Sequence, residues 1–150
     1  MNDKVELDEF AVMGISIKTT NQNGQSGKDI GQLFGEFWEK GIIDKIPNKL
    51  SKDIYCVYYE YEGDFNAPYS VMLGCRVENL MNIQSGLVGL NIPRNSYLRF
   101  DSYGELPDGL IKTWSEIWNS EIDRQYSFDF DVYPENPTDS AQVQTFVSVN

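Results

Sequence analysis

The sequence predicts an α+β domain in which a β-α-β-β unit occurs twice. An antiparallel sheet and two main helices would be related by a pseudo-twofold axis, with a ligand cleft between the halves. Three observations point there. Strand-like and helix-like patterns follow one another in the same order in both halves, about 1–82 and 83–150. The two helical segments share a motif, "GEFWEKG" and "SEIWNSE", each placing Glu, an apolar residue and Trp in succession. The 150 residues, 41% hydrophobic and 23% charged, suit one core and argue against disorder.

The elements follow in order. "EFAVMGISIK" reads as a first strand and "TTNQNGQSGKD" as a polar loop. "DIGQLFGEFWEKGI" places Ile30, Leu33, Phe34, Phe37 and Trp38 at helical spacing, and Ser26 with Asp29 resembles a capping box. Gly31 and Gly35 each cost this helix about 1 kcal/mol against Ala, so something must approach that face; a strand is favoured over a ligand. "DIYCVYYEY" and "YSVMLGCRV" are strands joined by the turn-like "EGDFNAP". "GLVGLNIP" and "SYLRFDSYG" flank a Pro93-Arg94-Asn95 turn. "LPDGLIKTWSEIWNSEI" is the second helix, with Pro107 near its start, and helical structure is expected over 28–43 and 108–122. "YSFDFDVY" and "QVQTFVSV" close the chain as strands around the loop "PENPTDSA".

Charge and composition exclude several functions. The net charge is −11, and residues 101–150 hold ten acids against Lys112 and Arg124. Direct nucleic-acid binding by charge neutralisation is therefore not expected. A negative field favours cationic small molecules or basic partners. With no His, the usual general base and commonest metal ligand are missing, and no metal site or cofactor is predicted. Cys56 and Cys75 lack metal-ligand spacing and read as buried free thiols. "MNDKVELDEF" is acidic, not a signal peptide, and no window suits a membrane span; a cytoplasmic location is expected.

Aromatic residues carry the functional signal. Five Tyr fall within 55–69, and each buried phenol needs a hydrogen-bond partner. Strict alternation puts Tyr55, Tyr59 and Tyr61 on one face and Cys56, Tyr58 and Glu60 on the other. Trp114 and Trp118 share a helix face; Trp118 is assigned to the core and Trp114, between Thr113 and Ser115, to a cleft wall. In "SFDFDVY", Phe128, Phe130 and Val132 point one way, and Asp129, Asp131 and Tyr133 the other. A carboxylate beside aromatic rings suits an organic cation, because each ring adds roughly 0.5–2 kcal/mol of cation–π attraction.

In order and spacing, "AVMGISIKTTN", "IGQLFGEFWEKGIIDKIPNK", "IYCVYYEYEGDF", "YSVMLGCRV", "GLVGLNIPRNSYLRFDSYG", "TWSEIWNSE" and "FDFDVY" resemble the GyrI-like family. These are the effector-binding domains of AraC-type and multidrug-sensing regulators, which also occur as stand-alone proteins. The resemblance implies an aromatic cleft between the halves that binds bulky, often cationic, hydrophobic compounds. It also implies that the family's acidic residue, typically Glu, is carried here by the shorter Asp131. No helix-turn-helix segment is expected beside the domain.

The reading is a non-catalytic binder of amphipathic, cationic aromatic molecules. Asp131 is the charge partner at the cleft bottom, with Asp129 reaching only the rim. Tyr59, Tyr61, Trp114, Tyr133, Phe37 and Trp38 are the candidate walls. Two other readings compete: an inhibitory protein–protein module acting on a basic partner such as DNA gyrase, and a small-molecule hydrolase whose base is Glu60 or Asp131. Neither the ligand, a regulatory protein partner nor the oligomeric state is named by the sequence.

Overall fold

The computed structural model describes residues 3–63, 66–103, 108–135 and 143–150. Strands β1 (Asp3–Leu7) and β2 (Phe10–Thr19) lead through a short 3-10 turn into helix α1 (Gln25–Glu39) and the single turn α2 (Ile42–Lys45). Strands β3 (Ile54–Tyr59), β4 (Tyr69–Val77), β5 (Val88–Ile92) and β6 (Asn95–Ser102) follow. Helix α3 (Asp108–Trp118) and strands β7 (Asp129–Tyr133) and β8 (Val143–Ser148) complete the order. All eight strands form one sheet, β1-β6-β8-β7-β3-β4-β2-β5, and every pairing is antiparallel.

Replacing each strand by its counterpart in the other half reverses this order onto itself. The pseudo-twofold axis therefore runs between β3 and β7, where Val57 stands opposite Phe130. The repeat is one strand longer than the sequence suggested. Each half begins with a strand that it gives to the other: β1 pairs with β6, and β5 with β2. β1 hid in the acidic N-terminal segment, although Val5 and Leu7 alternate with Lys4 and Glu6 as an edge strand requires.

This exchange forces the sheet to curl. Only Asp8 and Glu9 join β1, at one edge, to β2, in the seventh position. Six strand spacings in a flat sheet span about 29 Å, whereas two linking residues reach at most about 11 Å. Pro93 and Arg94 impose the same requirement between β5 and β6. The inner face of the curl is accordingly packed against itself. Phe130 lies at its centre, touching the rings of Phe10, Tyr55, Tyr97 and Phe146 at centroid separations of 4.9–5.8 Å. Two opposed glycines permit the bend, since a Cβ on Gly14 would meet Leu73 O at 1.8 Å and one on Gly74 would meet Met13 O at 2.0 Å.

Both helices lie on the outer face. Leu33 and Phe37 of α1 pack over Met13, Leu73 and Cys75, while Ile117 of α3 packs with Phe100 and Val147. Both helices end earlier than expected, and α1 also begins three residues sooner. Gly41, with φ +58°, stops α1 before α2 restarts, and α3 ends at Trp118. The expected capping box does not form: left-handed Gly24 takes the N-cap position, and Asp29 Oδ2 accepts hydrogen bonds from Thr19 Oγ1 and Gln25 Nε2. Pro107 and most of "PENPTDSA" lie outside the described residues. Cys56 and Cys75 are buried free thiols, and burial pushes Cys75 up to about 11.

The glycine pair gives a direct test of the curl. Gly74→Val should destabilise the chain by about 3 kcal/mol or more in chemical denaturation, the upper end for overpacking, because the obstacle is backbone and cannot swing away. A loss under 1 kcal/mol would contradict the close approach of β2 and β4.

Candidate functional site

The helices leave the central strands β3 and β7 open between them, and a cavity of about 430 Å³ occupies this gap. Gly27, Ile30, Gly31 and Phe34 of α1 form one wall; Leu110, Ile111, Trp114 and Trp118 of α3 form the other. Tyr58, Tyr61, Tyr69 and Tyr133 make the floor, and Arg124 closes one end. A Cβ on Gly31 would meet no atom within 4 Å. The glycine therefore borders open cavity, and among the described residues no strand packs against it as expected.

The rings brace one another. Phe34 meets Tyr133 edge-on at 5.4 Å, Tyr58 meets Trp114 at 5.2 Å, and Tyr61 lies 5.7 Å from Tyr69. Such pairs add about 0.5–1.5 kcal/mol each beyond area burial and limit ring motion. Tyr69 Oη is anchored by donating to Asn21 Oδ1 at 2.5 Å.

Beneath the floor lie two fully buried carboxylates. Asp131 Oδ2 accepts from Tyr58 Oη at 2.5 Å, and its Oδ1 from Thr145 Oγ1 at 2.5 Å and Trp114 Nε1 at 3.1 Å. Every one of these donors is neutral. Desolvation raises the Asp131 carboxyl to about 6, against the lowering by its three hydrogen bonds, and nearby Asp129 adds to the rise. Asp129 is held differently. Its Oδ2 accepts from Tyr61 Oη (2.6 Å) and Arg124 Nη2 (2.8 Å), and its Oδ1 from Ser148 N (2.7 Å) and Ser148 Oγ (2.8 Å). Burial, then the adjacent carboxylate, pushes the Tyr58 and Tyr61 phenols well above their ordinary value, so both remain donors.

Of the residues singled out from sequence, the structure brings Trp114, Tyr61 and Tyr133 to the cavity, with Asp131 directly below. Asp131 does not itself line the space; Tyr58 and Trp114 stand between. Asp129 is not at a rim but equally buried beneath Tyr61 and Arg124. Tyr59 lies on the opposite, inner face, bonded to Ser16 Oγ and stacked on Phe128. The parity changes at Glu60, whose left-handed φ of +53° returns Tyr61 to the outer face. Phe37 is sealed in the core under α1, and Trp38 points to solvent, 55% exposed. Trp118, assigned to the core, instead borders the cavity mouth. Arg124 carried no periodic signal, because it sits in the connection between α3 and β7.

Residues 5–149 match a family described as the integron-associated effector binding protein. The chain belongs to that family. An integron cassette protein from the mobile metagenome of Vibrio cholerae is 25% identical, with 99% of this chain and 95% of that one covered and a TM-score of 0.78. The structure of SAV2435 bound to tetraphenylphosphonium has 14% identity, coverage of 100% and 94%, and a TM-score of 0.80. A putative transcription regulation protein from Staphylococcus aureus MU50 has 13% identity, coverage of 100% and 98%, and a TM-score of 0.74. The last two establish the fold, which is the GyrI-like one. No curated protein matches the chain.

Asp131 has a measurable signature. The fold favours its protonated form, so this stabilisation is fully present below about pH 4 and is lost as pH rises through about 6. The stability of the wild type minus that of Asp131→Asn should fall by roughly 2 kcal/mol between pH 4 and 7. Asn adds a constant offset, because its amide hydrogens meet donors. A flat difference across this window would place the Asp131 carboxyl near its ordinary value.

Proposed function

We propose that the protein captures amphipathic aromatic molecules bearing positive charge, without chemical conversion. The observation that carries this reading is an aromatic, almost wholly apolar cavity laid over a buried carboxylate, Asp131, whose partners are all neutral. An entering cation meets the faces of several rings, each worth roughly 0.5–2 kcal/mol. It also feels Asp131 through Tyr58 and Trp114. At about 7 Å and an effective dielectric near 20, that charge contributes about 2 kcal/mol. The coarser conclusion, small-molecule binding, is that of an effector-binding family. The neighbour bound to tetraphenylphosphonium, a bulky aromatic cation, supports the finer one.

Capture rather than turnover is supported by how the acidic groups are engaged. Both buried carboxylates are saturated by donors. Glu60, the alternative base, is exposed, accepts from Ser70 Oγ at 2.6 Å and does not line the cavity.

Calorimetry with tetraphenylphosphonium and the neutral triphenylphosphine oxide tests the reading. Asp131→Asn should weaken the cation by about 1–2 kcal/mol and leave the neutral compound within about twofold. Cation affinity of the wild type should rise between pH 5 and 7 as Asp131 ionises, with proton release on binding near pH 6. Gly31→Leu, which projects into the open space, should block both compounds while preserving the fold. Equal losses for the two compounds in Asp131→Asn would remove the charge argument.

A further inference from the structure

Arg124 lines the cavity yet is already paired, and its surroundings are those of a bound cation. Its side chain is 5% exposed, and its Nη2 lies 2.8 Å from Asp129 Oδ2. The guanidinium carbon sits 4.3 Å from the ring centre of Tyr126, 5.8 Å from Trp114 and 6.0 Å from Tyr61. Among the described residues, Nε and Nη1 have no hydrogen-bond partner; rings surround the group instead. Tyr126 closes this cage from a left-handed backbone (φ +54°), a conformation that a bulky L-residue adopts only when its surroundings demand it. The segment is fixed by Arg124 N donating to Ile122 O and Gln125 N donating to Ser148 O, both at 3.0 Å.

We propose that Arg124 is a built-in cation that sets ligand valence: it occupies the Asp129 half of the cavity and restricts the protein to molecules with one positive charge. The inference rests on the cavity being a cation site. Two carboxylates lie below the floor about 6.5–7 Å apart along β7. One is balanced internally by Arg124; the other, Asp131, is met among the described residues only by neutral donors. A single ligand cation therefore finds one uncompensated charge. A second would have to shed its water beside a resident guanidinium, over rings that group already uses. The chain's charge of −11 attracts divalent cations more strongly at long range, so a preference for monocations has to arise locally.

The experiment compares diphenyl ether bearing one amidinium with the same scaffold bearing two, titrated into the wild-type protein at 0.15 M salt. The second charge should gain nothing, with affinities within about threefold, and a wild-type preference for the diamidine of tenfold or more overturns the proposal. In Arg124→Met, the diamidine should gain at least tenfold relative to the monoamidine, and Arg124→Met/Asp129→Asn should lose that gain. Breaking a buried ion pair is destabilising, so Arg124→Gln, whose amide still donates to Asp129, serves as a second variant and must shift the ratio the same way. The wild-type comparison decides if no variant folds. An unchanged ratio in folded variants sinks this inference alone. Failure of the monoamidine and tetraphenylphosphonium to bind the wild type sinks the cation-site reading and this inference with it.

Discussion

Asp129 and Asp131 place two carboxyl groups on the covered face of one short strand, and everything around the cavity is arranged to make that tolerable. A buried carboxylate without partners costs several kcal/mol. Here the partners are the walls themselves. Tyr58 and Trp114 point as they do because each donates to Asp131; Tyr61 and Arg124 because each donates to Asp129. The carboxylates thus position four groups drawn from β3, the segment after it, α3 and the loop before β7. Their hydrogen bonds limit ring movement, so a ligand meets preorganised faces and less ordering entropy is lost on binding.

The curl of the sheet gives those acids their place. Because each half gives away its first strand, two short links connect opposite regions of the sheet and fold it round on itself. The inner face then becomes an aromatic core centred on Phe130, and the outer face of β3 and β7 stays free between two helices. A single stretch, "SFDFDVY", serves both sides: its phenylalanines hold the curl closed and its aspartates organise the cavity floor. Asp in a strand interior opposes propensity. That local inconsistency marks the site.

Much of this was legible from residue patterns. The strand at 69–77 matches its predicted bounds, and from β2 onward the order of the strands and main helices follows from residue patterns. What was missed has identifiable causes. β1 is an edge strand whose charged residues read as an acidic tail. The faces of Tyr59 and Tyr61 depended on a backbone reversal at Glu60, which period-two reasoning cannot anticipate for a non-glycine residue. Arg124 and Tyr126 come from an irregular connection, where spacing carries no information and only three-dimensional packing brings the cation, the rings and Asp129 together. Phe37 and Trp38 shared their helix with true cavity residues but lie about one turn beyond Phe34 and two beyond Gly31.

In the proposed reading, Asp131 supplies the cavity's uncompensated charge, and a bound cation senses it through the floor. The most direct measurement is a carbon-13 NMR titration of the aspartate carboxyl groups, with and without saturating tetraphenylphosphonium. The Asp131 carboxyl should titrate near 6 in the free protein and shift clearly downward when the cation binds. An Asp131 titration unmoved by the cation, or one already near 4 in the free protein, would contradict that reading.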